Sequence, residues 1–153
     1  MVVLAPRLTA AFGPKAMIVT GLALLAAGLG WLSLVRPDGT FAADVLPASL
    51  VAALGMSLAF IPSLQMAISS AAPEQGGLAS GIVNTSYQIG SALGLATVTA
   101  IAVPLGADEL GDPVALTDGY SAAFTAAAAV AVLAIITTAA TVRSRKPDLV
   151  KAA

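Results

Sequence analysis

Amides and hydroxyls lie in the middle of residues 77–96, an apolar stretch that contains no charged residue. On a helix that turns about 100° per residue, Gly81, Asn84, Gln88 and Ser91 fall on one face. We call these four residues the polar stripe. Its side chains can donate and accept hydrogen bonds but do not titrate near neutral pH. The pattern predicts either hydrogen bonds to a neighbouring helix or contact with water or substrate in a cavity, and both readings stay open.

Glycines on the same stretch predict close packing between helices. Gly90 and Gly94 form one GxxxG pattern, on a side roughly 140° away from the polar stripe, and Gly77 and Gly81 form a second. In a membrane, small residues let two helix backbones approach closely. These four glycines are therefore predicted to be helix-packing positions.

A proline lies among polar residues in an earlier apolar stretch. Pro62 removes one backbone hydrogen bond from a helix and is predicted to kink it. Ser57 and Gln65 lie on either side of it and are further candidates for lining a cavity. The kink could mark a moving element or a static bend, and the sequence favours neither.

The distribution of charge predicts an integral membrane protein. Of the 153 residues, 58% are hydrophobic and only 10% are charged, whereas globular chains carry about 25% charge. A membrane-spanning helix needs about 20 mostly apolar residues. Four segments between charged residues contain no charge and are long enough to span a bilayer as helices. The predicted fold class is all-α, with transmembrane helices at residues 16–35, 45–70, 78–103 and 119–142, a loop at 1–15 and a tail at 143–153.

Composition argues against several functional classes. The chain has no Cys and no His, which removes disulfides, thiol nucleophiles, common zinc sites and His-dependent catalytic triads. A net charge of −1 gives no broad basic signal for nucleic acid. We therefore expect no enzyme activity, no metal, no cofactor and no nucleic-acid partner. No ionisable residue lies well inside a predicted span, although proton-coupled transporters usually need one.

Basic residues predict the orientation, because cytoplasmic loops of membrane proteins are rich in Lys and Arg. One side of the predicted membrane has a single basic residue, Arg36, whereas the other side has Arg7, Lys15, Arg143, Arg145, Lys146 and Lys151. Both termini are therefore predicted to be cytoplasmic. Asp118 is predicted as the N-cap of the last helix.

Three stretches resemble the fourteen-helix drug:proton antiporter branch of the major facilitator superfamily. "GGLASGIVNTSYQIGSALGLA" (76–96) resembles its penultimate helix, and "LTDGYSAAF" (116–124) resembles the start of its last helix. "APRLTAAFGPK" (5–15) resembles the second-half copy of its cytoplasmic loop motif, with Leu8, Gly13 and Lys15 matching. Ala10 and Ala11 replace the motif's Asp and Arg, and Tyr87 stands where many relatives have Arg.

The resemblance implies a function that composition alone does not. It implies the last four helices of a longer plasma-membrane transporter, forming part of its C-terminal bundle, with residues 1–5 as the end of a missing helix. Such a transporter is a secondary-active, proton-coupled efflux pump for drugs or small organic compounds. Its partners are the lipid bilayer, the remaining helices and a small-molecule substrate, and these four helices alone are expected to be inactive. The alternative is a self-standing four-helix membrane protein, either a small exporter or an assembly subunit.

Overall fold

The described part of the chain, residues 13–142 of a computed structural model, contains four long α-helices and no strand. Helix α1 is Pro14–Leu32, α2 is Leu46–Ser69, α3 is Gly76–Ala102 and α4 is Pro113–Thr141. A π-helical turn, Phe41–Val45, leads into α2, and short 3-10 turns lie on either side of α3 at Pro73–Gln75 and Val103–Leu105. All four helices are long and apolar enough to cross a membrane. The predicted fold class of an all-α protein with four transmembrane helices is confirmed.

The start of α4 differs most from the sequence-based bounds. This helix begins at Pro113 instead of residue 119, because Asp112 caps it. The Asp112 carboxylate accepts hydrogen bonds from the backbone N–H groups of Val114 at 2.9 Å and Ala115 at 3.2 Å. Pro113 occupies the first helical position, where a missing N–H costs nothing. The prediction of Asp118 as the N-cap is wrong, since that residue lies inside the helix.

Helices α1 and α2 pack so closely that their backbones touch. A Cβ atom added to Gly21 would lie 2.5 Å from the backbone nitrogen of Ala59, and one added to Gly28 would lie 2.6 Å from that of Ala52. A Cβ atom on Gly55 would lie 2.6 Å from the Gly21 carbonyl oxygen. Only glycine fits at these positions, so three small residues fix the distance between the two helices.

Helix α4 runs beside α1 and is tied to it at both ends. At one end, the Ser121 hydroxyl donates a hydrogen bond to the backbone carbonyl of Ser33. At the other end, the Lys15 ammonium group donates to the carbonyl oxygen of Ala139 at 2.8 Å. The beginning of α1 and the end of α4 therefore lie on the same side of the bundle.

Helix α3 is the least covered of the four. Its residues 84–97 are all exposed among the described residues, a length of about 21 Å at the helical rise of 1.5 Å per residue. It contacts other helices within this exposed length, at Tyr87, and at the end of the helix. Tyr87 meets Phe60 of α2 near the beginning, and Ala102 is buried at the end, close to Gly119 of α4. The described bundle is thus α1, α2 and α4, with α3 leaning on it.

Candidate functional site

The polar stripe lies on the exposed length of α3. Gly81, Asn84, Gln88 and Ser91 are all exposed. Among the described residues of α3, Thr97 is the one whose side chain makes a hydrogen bond. Its hydroxyl donates to the Leu93 carbonyl at 2.8 Å. The amides of Asn84 and Gln88 therefore have no hydrogen-bonding partner within residues 13–142.

These amides have a large capacity for hydrogen bonding. Each has a carbonyl oxygen that accepts and an NH₂ group that donates twice. Leaving such groups unpaired in hydrocarbon costs several kcal/mol, by the general cost of burying unsatisfied polar groups. The arrangement suits contact with water, with a polar ligand or with another protein segment, and it suits lipid poorly.

An aromatic pair lies beside the polar stripe and was missed as a candidate site from the sequence. The rings of Phe60 and Tyr87 meet edge to face, with centroids 5.8 Å apart and planes at 65°. Tyr87 shares a face of α3 with Asn84, three residues before it, and Ser91, four residues after it. The sequence signal for this position is the helical spacing of Tyr87 from Asn84 and Ser91.

Of the two candidates on α2, Ser57 lies on the side turned away from α1, and Gln65 lies on a flank about 100° from the side that faces α1. Gly55 and Ala59 face α1, and at about 100° per residue Ser57 falls roughly opposite them. The side chains of Ser57 and Gln65 are exposed. The Ser57 hydroxyl is already used locally, since it donates to the Ala53 carbonyl at 2.9 Å. Ser57 lies one turn before Phe60, whereas no described contact joins Gln65 to the polar stripe.

Pro62 is fully buried, and α2 continues through it. Because proline has no N–H, the carbonyl of Leu58 loses its usual helical donor. One residue further on, the Ser63 hydroxyl donates to the Ala59 carbonyl at 2.7 Å. The predicted kink at Pro62 stays a prediction.

The glycines predicted to pack are open in the described structure. A Cβ atom added to Gly77, Gly81, Gly90 or Gly94 would meet nothing within 4 Å. The glycines that closely approach a neighbouring helix are Gly21, Gly28 and Gly55 at the α1–α2 contact and Gly119 of α4, where an added Cβ atom would lie 2.8 Å from the Ala102 carbonyl oxygen. The sequence does not single them out as packing positions. Packing at the α3 glycines remains a prediction about contacts with protein beyond residues 13–142.

Two of the three matching residues of the cytoplasmic loop motif fall within the described residues. Gly13 has a φ of 80°, which L side chains rarely adopt, and it directly precedes the first residue of α1. Lys15 makes the hydrogen bond to the end of α4 described above. Leu8 lies outside the described residues.

Two crevices lie between α1, α2 and α4, away from the polar stripe. The first has a volume of about 460 Å³ and is lined by Leu32, Val35, Val45, Ser49, Leu116, Thr117, Tyr120, Ser121 and Phe124. The second has a volume of about 430 Å³ and is lined by Ile18, Ser63, Met66, Ala67, Ser70, Thr138 and Val142. Neither contains a candidate site residue from the sequence. Within residues 13–142, no group of acidic side chains is arranged to bind a metal ion.

Four apolar helices long enough to span a bilayer, one of them with an exposed and uncharged polar stripe, define a multi-pass membrane protein. Comparison with protein families refines this class. The family model described as the Major Facilitator Superfamily matches residues 1–153. The chain belongs to this superfamily.

Curated relatives carry names connected with drug resistance and export. The chain is 32% identical to the puromycin resistance protein pur8 of Streptomyces alboniger, over 89% of this chain and 28% of that protein. It is 32% identical to the cephamycin export protein CmcT of Amycolatopsis lactamdurans, over 72% of this chain and 22% of that protein. A third relative is the multidrug efflux pump LfrA of Mycolicibacterium smegmatis, 31% identical over 59% of this chain and 18% of the pump.

The chain corresponds to a small part of these relatives, between 18% and 28% of their length. No solved structure matches it significantly.

Proposed function

We propose that this chain forms the C-terminal part of a secondary-active, proton-coupled exporter of drugs or other small organic compounds in the plasma membrane. Membership of the Major Facilitator Superfamily supports transport. The names of three relatives, which refer to puromycin resistance, cephamycin export and multidrug efflux, support export of small organic compounds.

The observation that carries the proposal is the exposed length of α3. Residues 84–97 are uncovered in the described part of the chain over about 21 Å, most of the roughly 30 Å hydrocarbon core. Hydrogen-bonding groups of this kind belong where protein or water covers them. Transporters of this design bind substrate near the bilayer midplane, between two halves that rock against each other. The proposed role of Asn84, Gln88 and Ser91 in the polar stripe is to line that cavity.

Each candidate residue has a place in this proposal. Asn84, Gln88 and Ser91 offer hydrogen bonds to the substrate from α3, and Ser57 and Gln65 line the same cavity from α2. Gly90 and Gly94, on the other side of α3, pack against helices of the transporter that are not among these four. Gly77 and Gly81 do the same at the beginning of α3.

Proton coupling is assigned to other helices. The charged residues within the four spans, such as Lys15, Asp44 and Asp118, lie within a few residues of a span's end. A group that takes up and releases a proton during transport belongs inside the membrane. In this proposal the four helices supply binding and packing surfaces, and the rest of the transporter supplies the titrating group.

Export is tested with the protein expressed from its own gene in a host that lacks its own exporters. We expect efflux of organic compounds that a proton ionophore abolishes. Per molecule of protein, Asn84→Leu and Gln88→Leu should reduce transport several-fold. Ile89→Leu, which changes an exposed residue roughly 120° around α3 from the centre of the polar stripe, should have little effect. Efflux that is unchanged per molecule in the Asn84 and Gln88 variants would contradict a cavity role, and absence of any efflux would contradict the transport function.

The proposed orientation places the start of α1 and the end of α4 in the cytoplasm. The contact between Lys15 and Ala139 is consistent with a common side, and the basic residues favour the cytoplasmic one. Because the chain has no Cys, single cysteines at Asp38, Gln75 and Gly111 can be labelled selectively. An impermeant thiol reagent on intact cells should label positions 38 and 111 and leave 75 unlabelled. The reverse pattern would overturn the orientation.

A further inference from the structure

Phe60 and Tyr87 form an aromatic corner that is only partly filled by the protein. Their rings meet at a centroid distance of 5.8 Å and an interplanar angle of 65°. Phe60 is 45% exposed and Tyr87 is 49% exposed, so each ring keeps a free surface beside the contact. Two rings at a steep angle can receive a third ring, which stacks on one and meets the edge of the other.

Hydrogen-bonding groups lie within one helical turn of this corner. Asn84 precedes Tyr87 by three residues and Ser91 follows it by four, which places them about 4.5 Å and 6 Å away along the helix axis. All three lie on adjoining parts of one face of α3. The Tyr87 hydroxyl adds a further donor and acceptor at the corner itself.

We propose that the Phe60–Tyr87 corner determines substrate specificity by binding an aromatic ring of the exported compound, while Asn84 and Ser91 bind polar groups attached next to that ring. The substrate class is therefore an aromatic compound with a nearby amide or hydroxyl group. This inference rests on the proposed export function and makes it more specific.

The corner differs from the two crevices between α1, α2 and α4. Those lie away from the polar stripe, and although the first has Tyr120 and Phe124 beside hydroxyl side chains, neither is lined by a side-chain amide. The corner joins α2 to the exposed part of α3, and it brings aromatic surface and amide groups together. The Phe60–Tyr87 contact joins α3 to another helix directly beside the polar stripe.

The test compares two neutral probes that differ only in aromaticity, N-acetyl-phenylalanine amide and N-acetyl-cyclohexylalanine amide. Each is used to compete with an exported drug in membrane vesicles that contain the protein expressed from its own gene. For the wild type we expect the phenyl probe to inhibit at a concentration about 3- to 10-fold lower than the cyclohexyl probe. Phe60→Leu and Tyr87→Leu should remove that preference, whereas Tyr87→Phe should keep most of it.

Tyr120→Leu serves as the matched control, because Tyr120 is 53% exposed on α4 and lies away from the corner. It should leave the preference for the phenyl probe intact. Equal inhibition by the two probes in the wild type would overturn the aromatic corner and leave export intact. So would equal losses for both probes in the Phe60 and Tyr87 variants, since that is the result of a purely structural role. A wild-type protein that exports no compound would overturn the export function and the corner together.

Discussion

The interface between α1 and α2 and the middle of α3 contain the same kind of small residue in opposite surroundings. At Gly21 and Gly28, an added Cβ atom would collide with the backbone of α2 at 2.5 Å and 2.6 Å. At Gly90 and Gly94, an added Cβ atom would meet nothing within 4 Å. A glycine pattern thus predicts that another helix can approach closely. Whether a helix does so depends on the residues of that other helix.

The two regions also differ in polarity. The residues of α1 and α2 that meet each other are glycine, alanine and aliphatic side chains, which need no hydrogen-bonding partner. The exposed length of α3 combines its glycines with amides and hydroxyls. The first region is complete within the described residues, whereas the second has unused packing and hydrogen-bonding capacity. This difference is what supports a binding and assembly role for α3.

The largest expected effect is at the centre of the α1–α2 interface. Gly55→Ala places a Cβ atom 2.6 Å from the Gly21 carbonyl oxygen, where only backbone could move aside. Overpacking of this kind costs about 1–3 kcal/mol, which outweighs the roughly 1 kcal/mol that alanine gains over glycine in a helix. We expect a lower unfolding midpoint in a titration with sodium dodecyl sulfate.

Gly30→Ala is the matched control for that variant. Gly30 lies in the same pair of helices, but a Cβ atom there meets nothing within 4 Å. Only the helix-propensity gain remains, so the unfolding midpoint should stay equal or rise. Equal destabilisation by Gly55→Ala and Gly30→Ala would show that the close contact does not control stability.

The next prediction asks whether α3 becomes a packed helix in the complete assembly. Gly90→Leu, in the protein expressed from its own gene, should lower the amount in membranes to about half of wild type or less, because leucine forces neighbouring backbones apart. Ala96→Leu adds a similar volume on a different side of α3 and should be tolerated. If both variants accumulate like wild type, the open glycines of α3 have no packing partner. They would then stay uncovered in the complete assembly, unlike the glycines between α1 and α2.

The sequence predicted the elements well because charge is nearly excluded from membrane spans. The gaps between charged residues located all four helices, and the fold class followed. The start of α4 was misplaced because Asp112 and Asp118 both precede apolar residues, and only the backbone geometry shows which carboxylate meets free N–H groups. The α1–α2 contact was missed because Gly21, Gly28 and Gly55 are seven residues apart or on different helices. The seven-residue spacing puts Gly21 and Gly28 on one helix face, but no local pattern shows which residues of another helix meet that face.

A smaller effect is expected at the start of α4, the helix that follows α3 and joins the packed region. Asp112→Ala removes the acceptor for the N–H groups of Val114 and Ala115, and loss of an N-cap typically costs about 1 kcal/mol. Thermal unfolding in detergent should show a lower midpoint. Asp118→Ala, inside the helix, should change it little. A larger drop in the unfolding midpoint for Asp118→Ala than for Asp112→Ala would indicate that Asp118, six residues later, caps α4, as the sequence predicted.

The smallest effect is expected at Lys15, which holds the beginning of α1 to the end of α4. Its position in the first turn of α1 is unfavourable for a cation, because the positive end of that helix dipole lies there. Its bond to the Ala139 carbonyl lies at the negative end of α4 and offsets this cost. The bond is exposed, so Lys15→Met should destabilise the packed helices by only about 0.5 kcal/mol, and added salt should reduce the difference from wild type. Arg36→Met, which removes a cation beyond the other end of α1, provides the comparison. A loss at Lys15 as large as that at Gly55 would show that the polar tie, and not the glycine contact, holds this part of the bundle together.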